Sequence, residues 1–207
     1  MAESLPDALS PMLERLEKRS YTTYLCRLNA SRRLSHANTA WNLALVSLST
    51  STAIASVGLL AKRDMYGVGG DALMVSLSIL SLVASLVVSG AGYGTRARAM
   101  EENYKRIQQI SVAAENLKGY AGPDRQDKGE KLQWEYEVAV ASTENHTSRD
   151  FHKVQSSSQD GTRSKTKRLH DLAVSAAYSS VTLLPYASLV VPILILIPFS
   201  TWFFNGI

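Results

Sequence analysis

Few residues in this chain have the types and spacing that catalysis or metal binding requires. The histidines are His36, His146, His152 and His170, and no two of them are four residues apart, as a zinc site on one helix would need. Cys26 is the single cysteine, so neither an internal disulfide nor a cysteine zinc site can form. His146 and Asp150 could share a helix face, but solvated helices carry such pairs routinely. We therefore expect no enzyme activity, no cofactor and no metal.

Small and hydroxylated residues form a more distinctive pattern, on one face of a long apolar stretch. They recur at intervals of three or four residues, at Ser78, Ser81, Ser85, Ser89 and Gly92. A comparable stripe precedes them, at Ser49, Thr52 and Ser56. Small residues let membrane helices approach closely and pack in lipid. In an assembly of several chains, a ring of hydroxylated side chains can instead line a water-filled path, whereas leucine side chains in the same places could not be wetted. Both hypotheses, helix packing and a pore lining, stay open at this stage.

These hydroxyls lie within stretches that are too long and too uncharged for a soluble protein of this size. The 207 residues are 45% hydrophobic and 19% charged, an ordinary average, yet the charges are absent from 41–61, 72–95 and 172–207. Helices over the first two stretches would be roughly 32 and 36 Å long, against a bilayer core of about 30 Å. Both can cross a membrane. No ionisable group lies in either, which argues against a proton relay or a charge-selective filter.

The pattern predicts an all-α membrane protein in four parts. They are a cytosolic amphipathic helix in 1–39, a transmembrane hairpin in 40–95, a cytosolic helical region in 96–171 and a proline-broken membrane segment in 172–207. The hairpin has spans 41–61 and 72–95 around the glycine-rich loop 62–71. In the last part we favour one crossing near 186–204, with a re-entrant hairpin as the alternative, because a straight helix of 36 residues would be too long for one span.

The residues after the second span carry an apolar stripe typical of a helix that packs on another helix. The stripe runs through Met100, Tyr104, Ile107, Ser111 and Ala114, at intervals of three and four residues. We expect the second span to continue into this helix without a break. The stripe is a candidate surface for association in the cytosol.

The distribution of basic residues predicts the orientation. Seven Lys and Arg residues flank the hairpin on its N- and C-terminal sides, against two in its loop. Cations stay on the cytoplasmic side, so we expect a cytoplasmic N-terminus and three crossings. Arg32, Arg33, Arg96 and Arg98 are then topogenic residues that contact lipid headgroups. This role explains the net charge of +4 without nucleic acid as a partner.

Two sequence segments around the hairpin resemble a known family. They are RLEKRSYTTYLCRLNASRRLSHAN from Arg15 and RARAMEENYKRIQQISVAAENLK from Arg96. Together with the tight hairpin they resemble the SLATT domain, a bacterial two-transmembrane effector domain, over about Met12 to Lys118 and more loosely over Glu144 to Phe151. The residues that carry the resemblance are Tyr24, Arg27, Arg33, Arg98, Met100, Asn103 and Tyr104. The C-terminal apolar segment is extra to the minimal two-span pattern.

The resemblance implies a role in prokaryotic conflict systems, often beside a nucleotide-signalling module. Such domains are expected to assemble in the inner membrane and to breach it when infection is sensed. Our leading hypothesis is therefore a pore-forming homo-oligomeric effector of antiphage defence by abortive infection. Its expected partners are membrane lipid, further copies of the chain, and a nucleotide second messenger or an associated signalling protein. The alternative is a membrane anchor or scaffold that positions a soluble partner through its cytosolic helices.

Overall fold

The computed structural model describes residues 9–145, 147–158 and 185–205, which form helices and no strand. The helices are α1 (Leu9–Ala61), α2 (Gly70–Ala91), α3 (Tyr93–Lys118), α4 (Arg125–Ala141), α5 (Ser148–Ser158) and α6 (Val190–Asn205). The predicted all-helical class is confirmed. Residues 159–184, which contain the expected boundary at 171/172, lie outside the described part, and so does His146.

Three helical segments are long and apolar enough to cross a membrane. They lie within Leu9–Ala61, Gly70–Lys118 and Pro185–Asn205. In the second and third, only 6% and 11% of the most apolar window is buried within the chain. A soluble protein would bury apolar side chains of this kind, so we expect lipid to cover these exposed apolar surfaces. The membrane-spanning composition predicted from the sequence is thereby confirmed.

Among the described residues, one compact unit contains 9–34 with 94–145 and 147–158, and we call it the four-helix unit. It holds the N-terminal part of α1 together with α3, α4 and α5. The centre of its core is formed by Leu16, Ile107, Ile110, Ala114, Tyr136 and Ala139. The predicted stripe on α3 supplies two of these residues, Ile107 and Ala114, so that stripe packs α3 against α1 and α4 of the same chain.

The other compact unit contains, of the described residues, 35–93 with 185–205, and we call it the three-helix unit. It holds the C-terminal part of α1 together with α2 and α6. Leu48, Ala55, Leu59, Met74 and Ile195 form its buried core. The loop of the hairpin also reaches α6, because the Tyr66 hydroxyl donates a hydrogen bond to the carbonyl oxygen of Ile195 at 2.7 Å. The C-terminal apolar segment therefore packs with the hairpin.

The expectation that the second span continues unbroken into the next helix is wrong at one residue. Gly92 takes a left-handed conformation with φ 58° and ψ 33°, and its N–H bonds to the carbonyl oxygen of Ser89 at 3.1 Å. Glycine adopts this conformation at little cost because it has no Cβ, and helices commonly end this way. Gly92 therefore ends α2, and α3 begins at Tyr93.

Candidate functional site

The hydroxyl residues of the hairpin fall into an inner and an outer group. Ser49 and Ser81 meet across the hairpin, with 2.9 Å between their Oγ atoms, and Thr52 is buried in the three-helix unit. Ser78 and Ser89 are exposed on the flank of α2, while Ser56 and Ser85 are half-buried. The inner group therefore contributes to packing within one chain. The outer group leaves hydroxyls uncovered beside the apolar faces of α2.

Most of these hydroxyls satisfy their hydrogen bonds on their own helix. Ser78 donates to the carbonyl oxygen of Met74 at 2.9 Å, and Ser85 donates to that of Leu82 at 2.9 Å. Thr52 and Ser56 bond in the same way at 2.8 Å. A hydroxyl that is bonded to its own backbone can face lipid, another helix or water without leaving a buried donor unpaired. These positions are thus compatible with rearrangement of the hairpin.

A second polar site lies at the centre of the four-helix unit, around a fully buried guanidinium. The Arg27 side chain has 0% exposure. Its Nη1 donates to Asn103 Oδ1, to the carbonyl oxygen of Ala139 at 3.1 Å and to Thr143 Oγ1 at 2.7 Å. Its Nη2 donates to the carbonyl oxygen of Val140 at 2.8 Å. We call this set of contacts the Arg27 clasp.

The clasp caps the C-terminal end of α4. The last carbonyl groups of a helix lack partners in the helix and carry the negative end of its dipole, so a cation placed there is stabilised. Asn103 adds to the cap, because its Nδ2 donates to the carbonyl oxygen of Ala139 at 2.6 Å. Burial lowers the pKa of Arg27, which indicates that desolvation of the charge is costly. The clasp therefore ties α1, α3 and the end of α4 together.

Arg33 and Asp150 form a second link in the same unit. Arg33 Nε and Nη2 donate to the two carboxylate oxygens of Asp150 at 3.3 and 3.1 Å. The buried carboxylate of Asp150 also accepts from the N–H of Thr147 at 3.1 Å and from its hydroxyl at 2.7 Å. The bond from the Thr147 N–H is one of the two bonds of a capping box at the start of α5, and it gives a partner to an N–H group that the helix leaves unpaired. Arg33 thus holds α5 on α1.

The other residues predicted to contact headgroups differ in their surroundings. Arg96 Nε donates to both carboxylate oxygens of Glu144, at 2.9 and 3.1 Å. Arg32 and Arg98 are exposed, and neither has an ion pair with any residue of the described part of the chain. These two remain the better candidates for a headgroup contact. In the described ranges, no three His, Cys, Asp or Glu side chains converge as a metal site would require.

Cys26, the neighbour of Arg27, can report on the packing of the four-helix unit. It is fully buried, and burial, with the charge of Asp150 as a smaller cause, raises the pKa of its thiol from 9.0 to about 11. We expect N-ethylmaleimide to leave Cys26 unlabelled in the folded chain at neutral pH and to label it after denaturation, because the thiolate is the reactive form. Native labelling as fast as that of glutathione would contradict the burial.

The raised pKa also fixes the sign of a pH dependence. The folded chain binds the thiol proton more tightly than the unfolded chain does, so this contribution to stability is complete below pH 9. It decreases as the pH rises from 9 towards about 11. The chain with Cys26→Ser should lack this part of the decrease when the two unfolding midpoints are compared across that range.

The comparison with family models decides the family. The model described as "SMODS and SLOG-associating 2TM effector domain family 5", SLATT_5, matches residues 10–204. The chain belongs to the SLATT family. The match extends almost to the end of α6, so the C-terminal segment lies within the matched SLATT region, where we had expected it to be extra. No curated protein and no solved structure matches the chain.

Two residues of the Arg27 clasp, Arg27 and Asn103, stand out in the sequence, but their role in the clasp does not. Arg27 and Asn103 carry the SLATT resemblance, but the sequence pattern does not indicate that they contact each other, and it predicts the neighbouring Tyr104 to be part of the α3 stripe. In the structure Asn103 is buried and Tyr104 is half-buried. A usable signal was present, since Arg27 continues the stripe of Leu13, Leu16 and Ser20 on α1. Polar residues at such core positions often fix which helices pair.

Proposed function

We propose that this SLATT chain is a non-enzymatic membrane effector whose copies assemble and open a path for ions or solutes. The proposal places it in the bacterial inner membrane, with three crossings and the N-terminus in the cytoplasm. It acts in antiphage defence of the abortive-infection type, when a nucleotide signal or an associated signalling protein reaches the four-helix unit. The description of the matched family, an effector domain that associates with SMODS and SLOG, supports this role.

The observation that carries the proposal is the exposure of α2 in the single chain. Large apolar side chains such as Ile79, Leu82 and Leu86 are more than half exposed, as expected for a surface that meets lipid. The hydroxyl flank of Ser78 and Ser89 is exposed beside them. Lipid gains little from small polar residues, whereas another helix can pack closely on them. Assembly of several hairpins would place these hydroxyls at a shared axis.

The test is permeability of liposomes that contain the purified full chain. We expect release of a self-quenched dye from these liposomes once the activating nucleotide or partner is present, and a native mass that corresponds to several copies. Empty liposomes and liposomes that contain an unrelated three-span protein serve as controls. An assembled chain that releases no dye with any of the nucleotides or co-expressed partners tested would contradict the pore.

A second candidate function is a membrane anchor for a soluble partner. The observation that favours it is Trp134, which is 62% exposed on α4 of the four-helix unit. Exposed tryptophans are frequent anchors of protein interfaces. In that case a partner should co-purify in stoichiometric amount, Trp134→Ala should release it, and the liposomes should stay sealed.

A further inference from the structure

A groove between α3 and α4 has the features of a small-molecule site. It has a volume of about 420 Å³ in the four-helix unit. Its floor is apolar, with Leu117 and Leu132, and its polar rim includes Lys128 and Lys131. Sites for small ligands are commonly of this size and combine a mostly apolar lining with a few placed polar groups. The groove is open to solvent in the structure, so the described residues around it need not move to admit a ligand.

The aromatic wall of the groove is held in place by several contacts. The Tyr120 hydroxyl donates to Asp124 Oδ1 at 2.7 Å, and Lys128 Nζ lies 4.3 Å from the centre of the Tyr120 ring. The ring lies so close to Gly122 that a Cβ on that glycine would collide with it. A ring fixed in this way loses little freedom when a flat ligand stacks on it. Tyr120 is thus a preorganised wall.

A smaller groove of about 320 Å³ continues along α3 from two of the same residues. The two grooves share Ala113 and Asn116, and the second adds the amides of Gln108 and Gln109. From residue 108 to Lys118, where α3 ends, the helix rises about 15 Å. Stacked nucleotides follow one another at about 3.4 Å along a strand, so the combined length exceeds that of one nucleotide. The amides lie at one end and the lysines at the other.

This order of side chains matches the parts of one class of ligand. Lysine ammonium groups bind phosphate as point charges. Asparagine and glutamine amides pair with the donor and acceptor edge of a purine. An aromatic ring stacks on a nucleobase. Lys131 forms no ion pair with the described residues, so its charge is available, whereas Lys128 is shared with Asp124 at 2.8 Å.

We propose that this groove, from Gln108 to Lys131, binds a nucleotide with its phosphates at Lys128 and Lys131, one base beside them on Tyr120 and a further base towards the amides of Gln108 and Gln109. The inference rests on the proposed function for its meaning, since the nucleotide would be the signal that activates the effector. Glu135 lines the same groove, and its negative carboxylate would repel a phosphate group placed beside it. The lysine side of the groove is therefore the phosphate side.

The test measures binding directly, with the full chain in detergent and a fluorescent linear diadenylate, pApA, as the probe. We expect saturable binding that Lys131→Gln weakens about tenfold and Glu135→Gln strengthens several-fold, because the two changes act on the charge of one site. Tyr120→Ala should also weaken binding. The matched control is Lys18→Gln, which removes an exposed lysine of α1 outside the groove and should leave the affinity unchanged.

Three results would overturn the inference. They are the absence of saturable pApA binding, an equal effect of Lys131→Gln and Lys18→Gln, and displacement of the probe by hexaglutamate as effectively as by ATP. The last result would identify an acidic peptide as the ligand. Binding and dye release fail separately. If the chain binds pApA but never permeabilises liposomes, the nucleotide site is supported and the pore is contradicted. If the chain permeabilises liposomes but does not bind pApA, the pore is supported and the nucleotide site is contradicted.

Discussion

Arg27→Met should destabilise the four-helix unit by about 3 to 5 kcal/mol, the range found when one partner of a buried charged contact is removed. The variant removes the cation from a fully buried position and leaves Asn103 Oδ1 and the carbonyl oxygen of Val140 without their donor. Each buried polar group that loses its partner costs about 1 to 3 kcal/mol. Part of this loss is offset because the charge no longer has to be desolvated. Arg27→Lys should not restore stability, since one ammonium cannot reach all the acceptors of the guanidinium.

The measurement is the unfolding midpoint of the full chain in detergent, followed by circular dichroism, together with the labelling rate of Cys26. The matched control is Arg32→Met, an exposed arginine five residues along the same helix. A further variant, Arg27→Met with Asn103→Leu, removes a donor and its acceptor together. It should be less destabilised than the sum of the two single variants. If Arg27→Met unfolds at the same midpoint as Arg32→Met, the clasp does not stabilise the unit.

Ser89→Leu and Ser85→Leu should reduce dye release from liposomes at least tenfold while the chains still assemble. Leucine at these positions puts a branched apolar side chain on the hydroxyl face and removes the group that water could contact. Ser89 is exposed, so its replacement leaves the packing of a single chain intact, whereas Ser85 is half-buried. A comparison of the two variants therefore distinguishes loss of the water-filled path from damage to the packing of the hairpin.

The control for this prediction is Ser76→Leu on the same helix. Ser76 is exposed and is nine residues from Ser85, which at 100° per residue places it on the opposite side of α2. It should face lipid, where leucine is tolerated, and dye release should match that of the unchanged chain. Equal release from the Ser89→Leu, Ser85→Leu and Ser76→Leu chains would assign the hydroxyl face to packing alone.

The sequence was sufficient to predict the helical class and the apolar spans, because the absence of charge over 41–61 and 72–95 is a strong local signal. It was sufficient for the SLATT family as well. It did not predict the break at Gly92, because a glycine that ends a helix and a glycine that packs at a helix contact look alike in the sequence. Only the left-handed φ of Gly92 distinguishes the two.

The polar interior of the four-helix unit could not be predicted, because it depends on contacts between distant segments. Arg27 and Ala139 are 112 residues apart, and Arg33 and Asp150 are 117 apart. Each arginine looks like a basic flank of a membrane span when it is read alone. Their different roles follow from which helix end or carboxylate the fold brings beside them. The same applies to the α3–α4 groove, whose lining residues show no motif.

The most direct test of the whole account is whether the full chain is integrated in the membrane. Membranes from cells that express it are washed with urea and with alkaline carbonate and are then sedimented. We expect the chain to stay in the pellet and to be released only by detergent, because the bare apolar sides of α2 and α6 need lipid around them. Recovery of a monodisperse, detergent-free monomer in the supernatant would contradict the membrane-spanning helices and the pore that depends on them.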